Sequence, residues 1–170
     1  FKAGKDLLSI YANNHPENSL FSNKNLRLGG SSELYEDFNT KFGDLSAIMI
    51  ENLPFWVEIT TTPSKKVSLM SEWESKLKAI ISEVKNEDVG SMTGVPSWMM
   101  VLLQRTLADT GKQTISEIWP NLEVFFHGGI SFKPYRDQYR KIIGKDINYY
   151  EIYNASEGFF AIQDQPGSDE

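Results

Sequence analysis

Two short stretches carry residue types at spacings that have a chemical use. Tyr153-Asn154-Ala155-Ser156-Glu157-Gly158 sets an aromatic ring, a hydroxyl and a carboxylate close together along the chain. The ring can lie against a base, the hydroxyl can donate to a phosphate oxygen, and the carboxylate can reach a hard divalent cation. Those are the needs of a nucleoside triphosphate. The plain alternative is a strand-end turn in which Ser156 and Glu157 cap backbone groups. The second stretch, His127-Gly128-Gly129-Ile130-Ser131, lacks side chains at two consecutive positions, so a planar ligand or a bulky acyl group can approach the main chain. It also reads as an ordinary strand exit. His127 has no Ser–His–Asp or Cys–His pattern around it, and no metal-ligand spacing connects it to the other histidine, His15.

Periodicity supplies the elements that must position these stretches. Leu122-Glu123-Val124-Phe125-Phe126 reads as a strand leaving through His127-Gly128-Gly129, and Asn148 to Tyr153 reads as a second strand. A third follows at 159–163, after the turn at Gly158. Between the first two, 134–143 predicts a helix with Tyr135, Tyr139, Ile142 and Ile143 inward and Gly144 as its stop. Upstream, Pro96 suits a first helical turn and Gly111 a left-handed end, and Val95, Trp98, Met99, Val101, Leu102, Leu103 and Leu107 predict a helix buried over most of its circumference. Ser71-Glu72-Trp73-Glu74 has capping-box spacing ahead of Trp73, Leu77, Ile80, Ile81 and Val84, with Glu72 and Glu74 four residues before Lys76 and Lys78. Asp44 can cap a short helix whose Leu45, Ile48 and Met49 share a face and which Pro54 stops. Residues 1–42 read poorly, apart from a helical pattern around Leu7, Leu8 and Tyr11 and a strand at Leu26-Arg27-Leu28, ended by Gly29-Gly30-Ser31-Ser32. Helix, strand, helix, strand with short connections predicts an α/β fold, a partly parallel sheet with flanking helices. In such sheets ligands gather at the carboxyl ends of strands, where both chemical stretches fall.

Composition narrows the classes. Apolar residues make up 40% of the 170, enough for a packed core, and 17 Lys plus Arg against 23 Asp plus Glu leave a net charge of −6. That field disfavours nonspecific nucleic-acid or anionic-membrane binding. The chain has no cysteine, which removes disulfides, thiolate metal sites and cysteine nucleophiles and agrees with a reducing cytoplasm. The apolar stretch from Val95 to Leu103 is about half of the roughly 20 residues that a membrane span needs. The first residues show neither an initiator Met nor an export signal, and the last follow directly on a strand-like segment. Both ends predict a single incomplete domain, an internal segment of a longer polypeptide.

Gly94-Val95-Pro96-Ser97-Trp98, Trp119-Pro120-Asn121-Leu122, His127-Gly128-Gly129 and Tyr153-Asn154-Ala155-Ser156-Glu157-Gly158 occur in an order and spacing that resembles the bacterial branch of the GH3 acyl-acid amido synthetases, members of the acyl-adenylate-forming superfamily. The resemblance is clearest over 43–163. It implies part of an adenylating enzyme's large N-terminal domain, with ATP and Mg2+ as cofactors and a small carboxylic acid and an amino acid as substrates. Carried onto matching positions, it implies that Tyr153 flanks the adenine or ribose and that Ala155 belongs to the nucleotide-binding loop. Ser156 would contact the α-phosphate as a catalytic group, and Glu157 would be catalytic by ligating magnesium. Gly128 and Gly129 would line the adenine and acyl pocket, with Trp98 and Met99 as contributors to the acyl side, although core packing also accounts for both. The family's triphosphate loop has no counterpart in Gly29-Gly30-Ser31-Ser32, and its ribose-binding Tyr-Arg-x-Gly-Asp segment is not Tyr135-Arg136-Asp137, which precedes the Ser-Glu-Gly loop. The chain therefore reads as one wall of an active site, inactive without the remainder of its polypeptide.

Two other readings fit the residues. One is an acyl-CoA synthetase-like enzyme of the same superfamily. The other is a noncatalytic interaction domain in which Trp56, Trp73, Trp98, Trp119 and the 17 Phe plus Tyr serve a core and a partner surface. A packed setting for Tyr153, Ser156 and Glu157 would favour the second.

Overall fold

A computed structural model describes residues 2–29, 34–38, 40–155 and 157–167, together with the side chains of all of these except 34 and 36. Strands and helices alternate along the chain and build a six-stranded sheet of order β4–β1–β5–β6–β7–β8 beside a separate hairpin, β2–β3. The fold is mixed α/β, with a mostly parallel sheet flanked by helices.

Helix α1 (Lys2–Asn14) turns Leu7 and Tyr11, one helical turn apart, into the interior. Strand β1 (Lys24–Leu28) buries Leu26 and Leu28 on one face. The hairpin is β2 (Leu34–Asp37) against β3 (Thr40–Gly43), antiparallel. Helix α2 (Leu45–Glu51) departs from the expected face: it buries Ala47 and Ile50 and leaves Leu45 and Met49 exposed. Its inward side is set by the neighbour it meets, because Ile50 Cδ1 lies against the open side of Gly29. Asp44 occupies the N-cap position without a side-chain capping bond. Three short elements follow, α3 (Phe55–Thr60), β4 (Thr61–Thr62) and α4 (Lys65–Ser68), the last capped by the Ser64 hydroxyl.

Helix α5 (Trp73–Val84) packs Leu77, Ile80, Ile81 and Val84 inward as its period predicts. Its cap lies one residue later than the spacing suggested. The Glu72 carboxylate, not Ser71, accepts the Glu74 and Ser75 amides at 2.9 and 2.7 Å. Lys76 is buried rather than solvated, and Glu74 reaches across to Arg105 of the next helix at 3.4 Å. Strand β5 (Val89–Gly94) is central, and helix α6 (Pro96–Thr110) begins on Pro96 and ends at Gly111 with φ 69°. Met99, Met100, Leu102, Leu103 and Thr106 face the core, whereas Trp98 and Val101 remain exposed, so α6 buries one side and not its whole circumference.

Trp119 explains its motif by packing. The indole is fully buried and its Nε1 donates to the Val84 carbonyl at 3.0 Å, while the Asn121 amide donates to Asp88 at 3.0 Å. Strand β6 (Val124–Gly128) alternates Val124 and Phe126 toward α1 with Phe125 and His127 toward α7, the pattern of a strand covered on both faces. Helix α7 (Arg136–Ile143) follows a single 3₁₀ turn, Lys133–Tyr135, and stops at Gly144 with φ 79°. Strand β7 (Asn148–Ala155) runs parallel to β6, and β8 (Gly158–Ile162) returns antiparallel. The tight turn between β7 and β8 allows nothing else, since parallel strands need a long crossover. The larger core lies where α5, α6 and α7 cover the sheet, and a smaller one lies under α1, formed by Leu7, Tyr11, Leu20, Val124, Phe126 and Tyr150. No helix among the described residues is long and apolar enough to cross a membrane.

Candidate active site at the carboxyl end of the sheet

Strands β6 and β7 are hydrogen-bonded neighbours, and their parallel register sets His127 beside Glu151 and Gly128 beside Ile152. Strand β7 then runs on through Tyr153, Asn154 and Ala155, so the hairpin tip stands just past the glycine bend at the same end of the sheet. Asn154 and Ala155, which lie beyond the strand expected from the sequence, are paired strand residues opposite Phe159 and Gly158.

The glycines have different surroundings. Gly128 is buried, and a Cβ there would strike the Ile152 carbonyl oxygen and come within 3.1 Å of its Cγ1. Its bare main chain is needed for close approach of β7. Gly129 is exposed and takes φ 84°, so the open backbone at this bend is that of Gly129.

Tyr153 is 61% exposed, with its ring 5.2 Å from that of Phe160 on β8. Ala155 is half-buried and Glu157 is exposed at the tip. Ser156 lies outside the described residues. Of the two residues assigned to the acyl side, Met99 is fully buried beneath Gly94, and Trp98 is 52% exposed with its ring edge-on to Trp73 at 5.1 Å. Met99 is thus a core residue, and Trp98 marks a surface at the start of α6.

Among the described residues no three His, Asp or Glu side chains are grouped to hold a metal ion. Magnesium bound with a nucleotide needs only one or two carboxylates, because phosphate oxygens and water complete its shell. A single exposed carboxylate at the tip fits that demand.

His127 gains a setting that the sequence did not show. It is buried, stacked on Phe132 at 4.2 Å, and its titration is pushed down to about 4, by burial and secondarily by the Arg136 charge. Nδ1 has no hydrogen-bond partner. The ring is one wall of an open cleft beside β7, against Phe132 and Tyr149. The only hint in the sequence was the alternation along β7, which sends Tyr149, Glu151 and Tyr153 to one face.

The profile of the GH3 family N-terminal domain matches residues 1–147, which includes the poorly readable first forty and ends before the Tyr-x-Ala-Ser-Glu-Gly stretch. No curated protein sequence matches the chain. Among solved structures, the chain is similar to the Vibrio cholerae adenylation domain AlmE, crystallised in complex with glycyl-adenosine-5'-phosphate. The TM-score is 0.41 at 10% identity, over 88% of this chain and 23% of that one. The present chain thus spans less than a quarter of that protein.

Proposed function

Because the chain belongs to the GH3 family, we propose that it is an internal segment of an adenylate-forming ligase, an acyl-acid amido synthetase whose complete polypeptide joins a carboxylic acid to an amino-acid amine. What supports this reading is one juxtaposition: the open backbone of Gly129 and the exposed Tyr153 and Glu157 stand at the same end of two adjacent parallel strands. An interaction domain with these residues packed inside does not describe such a tip.

In the proposed reaction a carboxylate oxygen attacks the α-phosphorus of ATP and pyrophosphate leaves; the amine then attacks the acyl carbon and AMP leaves. Glu157, together with the nucleotide phosphates, would hold magnesium, which would neutralise charge developing on the departing pyrophosphate. The Tyr153 ring offers its face to the adenine or ribose. Ser156 would donate its hydroxyl hydrogen to an α-phosphate oxygen, and Ala155 belongs to the same nucleotide-binding stretch. Gly129 offers its bare backbone to the adenine and acyl group, Gly128 behind it lets β6 lie close to β7, and Trp98 borders the acyl side. The chain's own contribution is mainly positioning, which fails without the remaining walls, so residues 1–170 alone should turn nothing over.

The test is acid-dependent exchange of pyrophosphate into ATP by the complete polypeptide, followed by product analysis with amino acids and with CoA. Exchange together with amide product is expected. Thioester without amide would replace the amido synthetase by an acyl-CoA synthetase, and no exchange with any acid would remove the adenylating reading.

A further inference from the structure

Strands β1 and β5 divide their side chains between two faces of the sheet. Leu26, Leu28 and Met92 join the core that α5 and α6 cover, so the alternate residues, Asn25 and Arg27 on β1 and Ser91 and Thr93 on β5, share the opposite face. The register sets Asn25 beside Ser91 and Arg27 beside Thr93. Farther across the sheet this face continues through Val124 and Phe126, which pack with Leu7 and Tyr11 of α1. Helix α1 therefore serves the β6–β7 half, and the β1–β5 half is polar.

The neutral groups of that half satisfy one another: the Asn25 amide donates to Ser91 Oγ at 2.9 Å and to Thr93 Oγ1 at 3.1 Å. Arg27 is left out. Although it is half-buried, its guanidinium makes no hydrogen bond and no ion pair among the described residues. Burial lowers its pKa and no neighbouring carboxylate offsets the shift, yet a guanidinium keeps its charge. A half-buried charge without a partner is destabilising, and a carboxylate matches the guanidinium fork with two parallel hydrogen bonds. Parallel strands are, moreover, covered on both faces, and β4, β1 and β5 run parallel. An apolar helix face laid here would leave the guanidinium unpaired, so the matching cover is polar and carries an acid.

We infer that this face is the docking surface for a polar segment of the same polypeptide outside residues 1–170, which presents an Asp or Glu side chain to Arg27. The layers over interior parallel strands come from the crossovers of their own chain, which selects such a segment over a second copy. The inference rests on the reading of the chain as part of a longer polypeptide and not on adenylation.

In the complete polypeptide, Arg27→Lys places an amine at this position, and a water-soluble carbodiimide joins an amine to a carboxylate only where the two form an ion pair. Mass spectrometry of the digest should find the new amine bonded to an Asp or Glu outside residues 1–170 of the same molecule. No bond at position 27, a bond to an acid within 1–170, or a bond between two molecules would each overturn the docking surface. Arg27→Met keeps the bulk of the side chain and removes its charge. It should lower the melting temperature of the complete polypeptide by about 2 °C or more, because the docked carboxylate loses its partner. An unchanged or higher melting temperature would mean that Arg27 has no partner there, and overturns the inference as well. Both measurements are made without ATP, so their failure leaves pyrophosphate exchange to be judged on its own, and absence of exchange leaves the docking surface standing.

Discussion

Gly128 and Gly129 are identical side by side in the sequence and unlike in their physics. A methyl group on Gly128 would meet a backbone carbonyl that is fixed by the β6–β7 ladder and cannot yield without breaking it. Overpacking of this kind costs about 1–3 kcal/mol, and the rigid partner puts Gly128→Ala at the upper end. At Gly129 the neighbour is the Val95 Cγ2 methyl at 3.3 Å, which can shift, so Gly129→Ala bears mainly the left-handed φ penalty of roughly 1–2 kcal/mol. Urea unfolding at constant m should rank Gly128→Ala as the more damaging. His127 makes a pH prediction. It is held neutral in the fold down to about 4, whereas the unfolded ring takes a proton near 6.5. Its contribution is therefore complete above pH 6.5, declines as pH falls, and is lost on reaching about 4, amounting to about 3 kcal/mol by linkage. Between those limits, stability should fall less steeply in His127→Leu than in the parent; parallel slopes would show that the imidazole is not buried neutral.

Elements were legible where one residue governs the backbone, and obscure where a neighbour does. Pro96, Gly111 and Gly144 act through their own φ preference, so α6 and α7 begin and end close to where the sequence indicates. Strand β5 escaped notice because Val-Gly-Ser-Met-Thr-Gly has little intrinsic strand character. It is a strand because β1 and β6 pair with it on both sides, and because the Asn25 amide satisfies the Ser91 and Thr93 hydroxyls at 2.9 and 3.1 Å. The inward face of α2 was likewise decided by contact with Gly29 rather than by its most apolar arc. A different long-range bond joins α7 to α6: the buried Tyr139 hydroxyl donates to the Pro96 carbonyl at 2.8 Å. Burial raises the phenol's pKa, so it remains a donor throughout the working pH range. Tyr139→Phe keeps the stacking on Phe125 at 5.1 Å and removes the bond alone, so it should lower stability by about 1–2 kcal/mol. A loss near zero in thermal or urea unfolding would mean that the Pro96 carbonyl is already satisfied by its own helix.

At the scale of the molecule, neither the neighbour relation of the sheet nor what lies beside it is readable along the chain, yet the order of elements predicts that both motifs leave the sheet at one end. Adjacent parallel strands with a helix between them must emerge at one edge, which is why two motifs some two dozen residues apart fall together. The aromatic cleft was invisible because it depends on where β8 stops covering β7, a property of three segments at once. The same layout leaves Glu157 exposed at the hairpin tip, and among the described residues no three His, Asp or Glu side chains are grouped to hold a cation. Glu157→Gln in the complete polypeptide removes one charge from an exposed position and should leave the melting temperature unchanged. Acid-dependent exchange of pyrophosphate into ATP should fall by roughly 10²-fold or more, the scale of losing one charge-stabilising group at a reacting phosphate. Glu157→Asp, which keeps the charge on a shorter arm, should recover part of the loss when magnesium is raised, whereas Glu157→Gln should recover less. Exchange retained within a few-fold in Glu157→Gln would mean that magnesium is held elsewhere, and that this turn serves the hairpin rather than the reaction.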